Sequence, residues 1–129
     1  MTASADQINA TIDRYVAAFS SGDRDGYLSL FAADATLEDP VGSDIARGAE
    51  AIGGFWDGVR AMASEITLER TGPARVAAGE AAWPMRAITN LGEMKLKVEI
   101  IDVMAFDDEG RITSMRAFWD PADMVPLED

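Results

Sequence analysis

The chain contains no cysteine and no histidine. The first absence excludes a disulfide framework, a thiolate nucleophile and a thiolate metal site. The second excludes Ser-His-Asp and Cys-His machinery and any imidazole ligand. Proton transfer must then fall to carboxylates, tyrosine, lysine or water. Positive charge is also scarce: 11 lysine and arginine residues stand against 23 aspartate and glutamate, a formal net charge of −12. That balance argues against nucleic acid and against anionic membrane surfaces as partners. No apolar run approaches a membrane span of about 18 residues, and none follows a basic start as in a secretory leader. The expectation is a cytoplasmic, unprocessed protein. The acidic residues lack clustered ligand spacing, so no metal is expected.

What is present is apolar patterning. With 129 residues and 48% hydrophobic content, the chain reads as one globular domain over 1–129 with a sizeable core. Ile8, Ile12, Val16 and Phe19 recur at helical spacing between about Ala5 and Ser21, with Tyr15 on the same stripe. Gly22 closes this helix, and Asp23 caps a shorter one running through Tyr27, Leu28 and Phe31. Ala35 to Asp39 alternates like a strand and stops at Pro40. Gly42 to Gly48 reads as a loop, and Ala49 to about Ala63 as a third helix. Strands are predicted at Glu65–Thr71, Pro73–Ala77, Ala81–Thr89, Glu93–Phe106 and Arg111–Trp119. Helices followed by a strand meander indicate an α+β fold, the helices packed on one face of a curved, mostly antiparallel sheet.

The longest predicted strand carries the chemical clue. Residues two apart share a face, so Leu96, Val98, Ile100, Met104 and Phe106 line one side with Asp102 among them. A carboxyl group there loses its water. Desolvation disfavours the charged form, which predicts a raised pKa and a neutral acid able to donate a hydrogen bond. The bland alternative is a structural acid paired with Arg86 or Arg116. The opposite face turns apolar at Ile101, Val103 and Ala105, which suggests contact with a second subunit and hence a homodimer.

Two further residues complete a set. Tyr15 is an ordinary core tyrosine or a phenol aimed into a pocket. Asp39 is a turn aspartate or an ionised carboxylate at a pocket mouth. Two carboxyl groups held at different pKa values, with a phenol beside them, suit proton abstraction next to a carbonyl and stabilisation of the enolate oxygen. Trp56, Trp83, Met85, Met115, Phe118 and Trp119 read as core or cavity lining.

At these residues the sequence resembles the ketosteroid isomerases of the NTF2-like (SnoaL-like) superfamily. The resemblance runs from about Arg14 to Trp119. It is carried by Arg14-Tyr-Val, Ala32 through Gly42, Thr71-Gly-Pro73 and Ile101 through Ile112, and above all by Tyr15, Asp39 and Asp102. It implies a conical α+β barrel, an apolar cavity, a homodimer and no cofactor. It assigns Asp39 as the base that moves a proton from steroid C4 to C6. Tyr15 and protonated Asp102 would hold the C3 oxygen, and Phe55, Trp56, Trp83, Met115 and Trp119 the steroid rings. A carboxylic acid held neutral is itself a known property of that family. Phe31 and Trp56 stand where some members carry supporting tyrosines. The other readings are a SnoaL-like polyketide cyclase or tailoring enzyme, and a non-catalytic small-molecule-binding module of the same fold.

Overall fold

A computed structural model describes residues 2–63 and 65–127. Three helices, α1 (Ala5–Ser21), α2 (Arg24–Leu28) and α3 (Gly48–Met62), precede or interrupt eight strands. The strands are β1 (Phe31–Glu38), β2 (Ala46–Arg47), β3 (Glu65–Arg70), β4 (Arg75–Ala77), β5 (Glu80–Asn90), β6 (Lys95–Phe106), β7 (Ile112–Phe118) and β8 (Val125–Pro126). They form one curved, open sheet in the order β2-β1-β7-β6-β5-β3, with β4 added on β5 and β8 on β6. Every pairing is antiparallel except β1 with β7. The fold is α+β, as the pattern predicts.

Local chemistry explains the elements. Helix α1 starts at a capping box: the Gln7 N–H donates to Ser4 Oγ at 3.1 Å, and the Ser4 N–H donates back to Gln7 Oε1 at 2.8 Å. It ends at Gly22, whose φ of 76° suits a residue without Cβ. Between these caps Ile8, Ile12, Tyr15 and Phe19 are buried against the sheet. Thr11 belongs to the same stripe, and its hydroxyl donates to the Gly110 carbonyl at 2.8 Å. Gly110, at φ 83°, turns β6 into β7 so closely against α1 that an added Cβ would meet Gln7 and Thr11. Helix α1 is thereby tied to the far end of the sheet.

The five later strands lie within two residues of their predicted ends. Three expectations need correction. The second helix stops at Leu28, and Phe31 instead opens β1 opposite Ile112, because the Leu30 carbonyl accepts from the Ile112 N–H at 2.8 Å. The loop 42–48 contains β2, which pairs with Thr36 and Leu37. After β7 the chain makes a 3-10 turn at Pro121–Asp123 and adds β8 to Leu96 and Lys97, both unanticipated.

Thr11→Val should cost about 1–3 kcal/mol, because it removes the hydroxyl and leaves the buried Gly110 carbonyl unpaired. Urea unfolding measures this; an unchanged midpoint would show that the tie contributes nothing.

Candidate active site

The site begins with the pairing of β5 and β6. Its register sets Trp83 opposite Asp102, then Met85 opposite Ile100, Ala87 opposite Val98 and Thr89 opposite Leu96. All eight side chains share one face. The last three rungs form the floor of an apolar cavity of about 400 Å³, a size suited to a small organic ligand. Phe55, Val59 and Met62 of α3 cover it, while Tyr15, Asp39 and Trp119 reach it from other elements. Met62 and Leu91 are exposed, at 81% and 46%, and mark the open end.

Asp102 sits at the buried end of this ladder with no solvent exposure. Among the described residues neither of its oxygens has a hydrogen-bond partner. The arginines considered as partners are engaged elsewhere: Arg86 with Glu99 at 2.7 Å, and Arg116 with Glu38 at 3.0 Å. Burial pushes the carboxyl well above the ordinary range, and the negative charge of Asp39 adds to the shift. The shift favours the neutral form, which can donate a hydrogen bond.

Asp39 arrives by a different route. It follows the last residue of β1, whose parallel pairing with β7 matches Glu38 to Arg116. The Val41 N–H then donates to the Ala117 carbonyl at 2.8 Å, so the chain after β1 stays beside the end of β7. Trp119 lies just past that end, and its indole N–H donates to Asp39 Oδ1 at 2.7 Å. Burial raises the Asp39 pKa, and this hydrogen bond pulls it back. Of the two carboxyl groups, Asp39 ionises first.

Tyr15 closes the set. Its ring packs edge-on against Trp83, centroids 6.0 Å apart at 83°, which brings the phenol beside the rung that holds Asp102. Burial raises the phenol's pKa, and the neighbouring Tyr27, Asp102 and Asp39 push it the same way. Tyr15 and Asp39 line the cavity and Asp102 is buried behind that lining, and the three act on one another electrostatically.

Residues 12–115 match the SnoaL-like domain. This chain belongs to the SnoaL-like family. Over 119 residues it is 44% identical to the Steroid Delta-isomerase of Nocardioides simplex, covering 92% of this chain and 94% of that protein. Among solved structures it resembles SalBIII, described as an epoxide hydrolase/cyclase-like enzyme in pyran ring formation in polyether salinomycin. The TM-score is 0.85 at 26% identity, covering 95% of this chain and 97% of that one. A Mycobacterium tuberculosis protein shares the fold with a TM-score of 0.85 at 24% identity, covering 98% and 99% of the two chains.

Within this SnoaL-like scaffold the five expected ring contacts divide. Phe55 and Trp119 line the cavity. Trp56, Trp83 and Met115 are buried behind that lining, where they shape it through the residues in front. Reading the sequence missed two roles. Trp119 is a hydrogen-bond donor to the acid as well as a ring. Tyr27, on α2, packs against Tyr15 with centroids 5.5 Å apart.

Unfolded Asp102 releases its proton near about pH 4, whereas the folded protein retains it well above that. In the interval the unfolded chain binds fewer protons, so stability falls as pH rises. Asp102→Asn cannot titrate. Its stability relative to wild type should therefore grow from pH 4 to pH 8, read by denaturant unfolding at several pH values. A difference that stays constant across that range would mean that Asp102 is ionised in the folded state.

Proposed function

We propose that this protein is a steroid Δ5-3-ketoisomerase, acting as one NTF2-like domain of residues 1–129. The observation that carries the reading is Asp102: fully buried and, among the described residues, without a hydrogen-bond partner, just behind an apolar cavity that a phenol and a second carboxylate line. The 44% identity to a steroid isomerase supports it. Asp39, the more readily ionised acid, takes a proton from C4 of a 3-oxo-Δ5-steroid and returns it to C6. Electron density moves onto the C3 oxygen in between, forming a dienolate. Tyr15 and Asp102 donate hydrogen bonds to that oxygen while its charge develops. Donors fixed in advance in a dry site are worth about 10²–10³-fold each, and a positioned base about 10²–10⁴-fold. The product is the conjugated Δ4-3-ketone, and the steps call for no cofactor.

The lining favours a flat, apolar substrate, since Thr89 is the only hydroxyl-bearing residue of the floor. Phe55 and Trp119 offer rings to it, with Trp56, Trp83 and Met115 as their backing. Ile101 and Phe118, exposed at 46% and 42% on the outer face of β6 and β7, support the homodimer expected from the sequence. The cytoplasmic location belongs to the same proposal. The likeness to SalBIII supports the second reading, a cyclase or other tailoring enzyme that uses Asp39 on a different polycyclic ketone.

Two measurements test the proposal. With 5-androstene-3,17-dione, the enzyme should generate conjugated-enone absorbance, and Asp39→Asn should lower kcat by about 10²–10⁴-fold while steroid still binds. No absorbance change from the wild-type enzyme would defeat the steroid reading, and turnover of a polyketide ketone instead would favour the cyclase. In pH profiles, kcat/KM should fall as pH drops through the Asp39 pKa. Trp119→Phe removes a hydrogen bond that lowers that pKa, so the acid limb should move to higher pH. An unmoved limb would mean that another group controls it.

A further inference from the structure

Tyr27 is a fully buried phenol for which the mechanism above has no task. Four aromatic rings enclose it: Trp56 at 4.7 Å, Phe31 at 5.1 Å, Tyr15 at 5.5 Å and Phe19 at 5.6 Å between centroids. Three of these are hydrocarbon or indole faces that offer its oxygen no acceptor. Among the described residues its hydroxyl completes no well-aligned hydrogen bond. A buried hydroxyl left so is costly, and a leucine or phenylalanine would fill the space without that cost. The neighbour that can satisfy it is Tyr15. The two hydroxyls shift one another's ionisation, Tyr15 upward and Tyr27 downward through their hydrogen bond, so in the free protein Tyr15 points its proton at Tyr27 and must turn it away to meet a ligand. Hydrogen bonds of this kind are commonly loose in the free enzyme and tighten when substrate binds.

We propose that Tyr27 is a positioning residue for Tyr15: its hydroxyl donates to the Tyr15 oxygen, fixes the phenol and strengthens the hydrogen bond that Tyr15 gives to the substrate oxygen. The direction follows from proton counting. Once Tyr15 turns its one proton towards the dienolate, its oxygen has only lone pairs left, and Tyr27 has the proton to meet them. A phenol that accepts a hydrogen bond becomes a better donor, because successive hydrogen bonds polarise one another. The role rests on the proposed function, since it presumes that Tyr15 faces a substrate oxygen.

The test uses the full chain and two readouts. Tyr27→Phe keeps the ring and should lower kcat about tenfold, the net worth of one ordinary hydrogen bond, with a smaller effect on KM. Combined with Tyr15→Phe, the loss should be less than the product of the two single losses, because the second phenol acts through the first. Tyr27→Met, a flexible apolar replacement, repeats the cycle so that ring packing does not decide the result. The second readout is a phenolic steroid as a dienolate mimic, whose ultraviolet spectrum gives the fraction bound as phenolate. That fraction should fall in Tyr27→Phe and be rescued by no change in pH that leaves the probe's own ionisation unaltered. Losses that multiply, or a phenolate fraction that does not fall, overturn the role of Tyr27 alone. Wild-type protein that isomerises no steroid defeats the proposed function, yet the bound probe still reports on Tyr27. A cavity that takes no phenolic steroid overturns both.

Discussion

Water is kept from one carboxyl group, and the chemistry of the site depends on that exclusion. Asp102 could be neutralised in three ways: by a cation, by donors to its oxygens, or by keeping its proton. The two arginines closest in the sequence pattern are bound to Glu99 and Glu38 on the polar side of the sheet. Arg70 approaches the Trp83 ring at 5.8 Å, but its guanidinium is held by Asp13 at 2.7 Å. No protein donor reaches Asp102 among the described residues. Only the proton remains. A retained proton makes the group a donor, and in turn lets Asp39 carry the negative charge of the pair without a second anion beside it.

The scaffold serves this arrangement by bringing together residues distant in the chain. Asp39 and Trp119 are 80 positions apart and meet because β1 runs parallel to β7. Tyr15 reaches the Trp83–Asp102 rung because α1 is held at its own first turns by a capping box and at Thr11 by the β6–β7 turn. Helix α3 then roofs the lower rungs with Phe55, Val59 and Met62. Apolar burial supplies the cohesion and the dryness at once: the same contacts that stabilise the fold remove the solvent that would let Asp102 ionise.

Much of this was legible from local pattern. The stripe in α1 and the alternation of β3, β5, β6 and β7 are periodicities within single segments, so they survive without knowledge of partners. Asp102 stood out for the same reason, as a break in one strand's apolar face. The errors share a cause as well. Phe31 fits a helical stripe after Tyr27 and Leu28, and only the long-range bond from Ile112 to Leu30 commits it to a strand. The strand at Ala46–Arg47 and the one at Val125–Pro126 are two residues each, too short to show alternation, and exist by pairing with β1 and β6. Trp119 gave no sign of hydrogen bonding because its partner is far along the chain. Tyr27 looked like core on α2, and nothing near it in sequence points to Tyr15.

Most of the unpaired buried groups lie together. Among the described residues, Tyr27 Oη, Trp83 Nε1 and both oxygens of Asp102 are buried without partners, as is Arg60 Nε on α3, and Trp83 touches both Tyr15 and the Asp102 rung. The other buried polar side chain of the core, Thr11, is paired. A fold selected only for stability would place leucine or phenylalanine at such positions, since an unsatisfied buried polar atom costs about 1–3 kcal/mol. The free protein therefore carries a concentrated deficit at the deep end of its cavity. A ligand oxygen with lone pairs directed there relieves part of it, and relieves more as that oxygen gains negative charge. Binding that strengthens as such an oxygen gains charge is the condition for rate acceleration as opposed to mere retention of substrate.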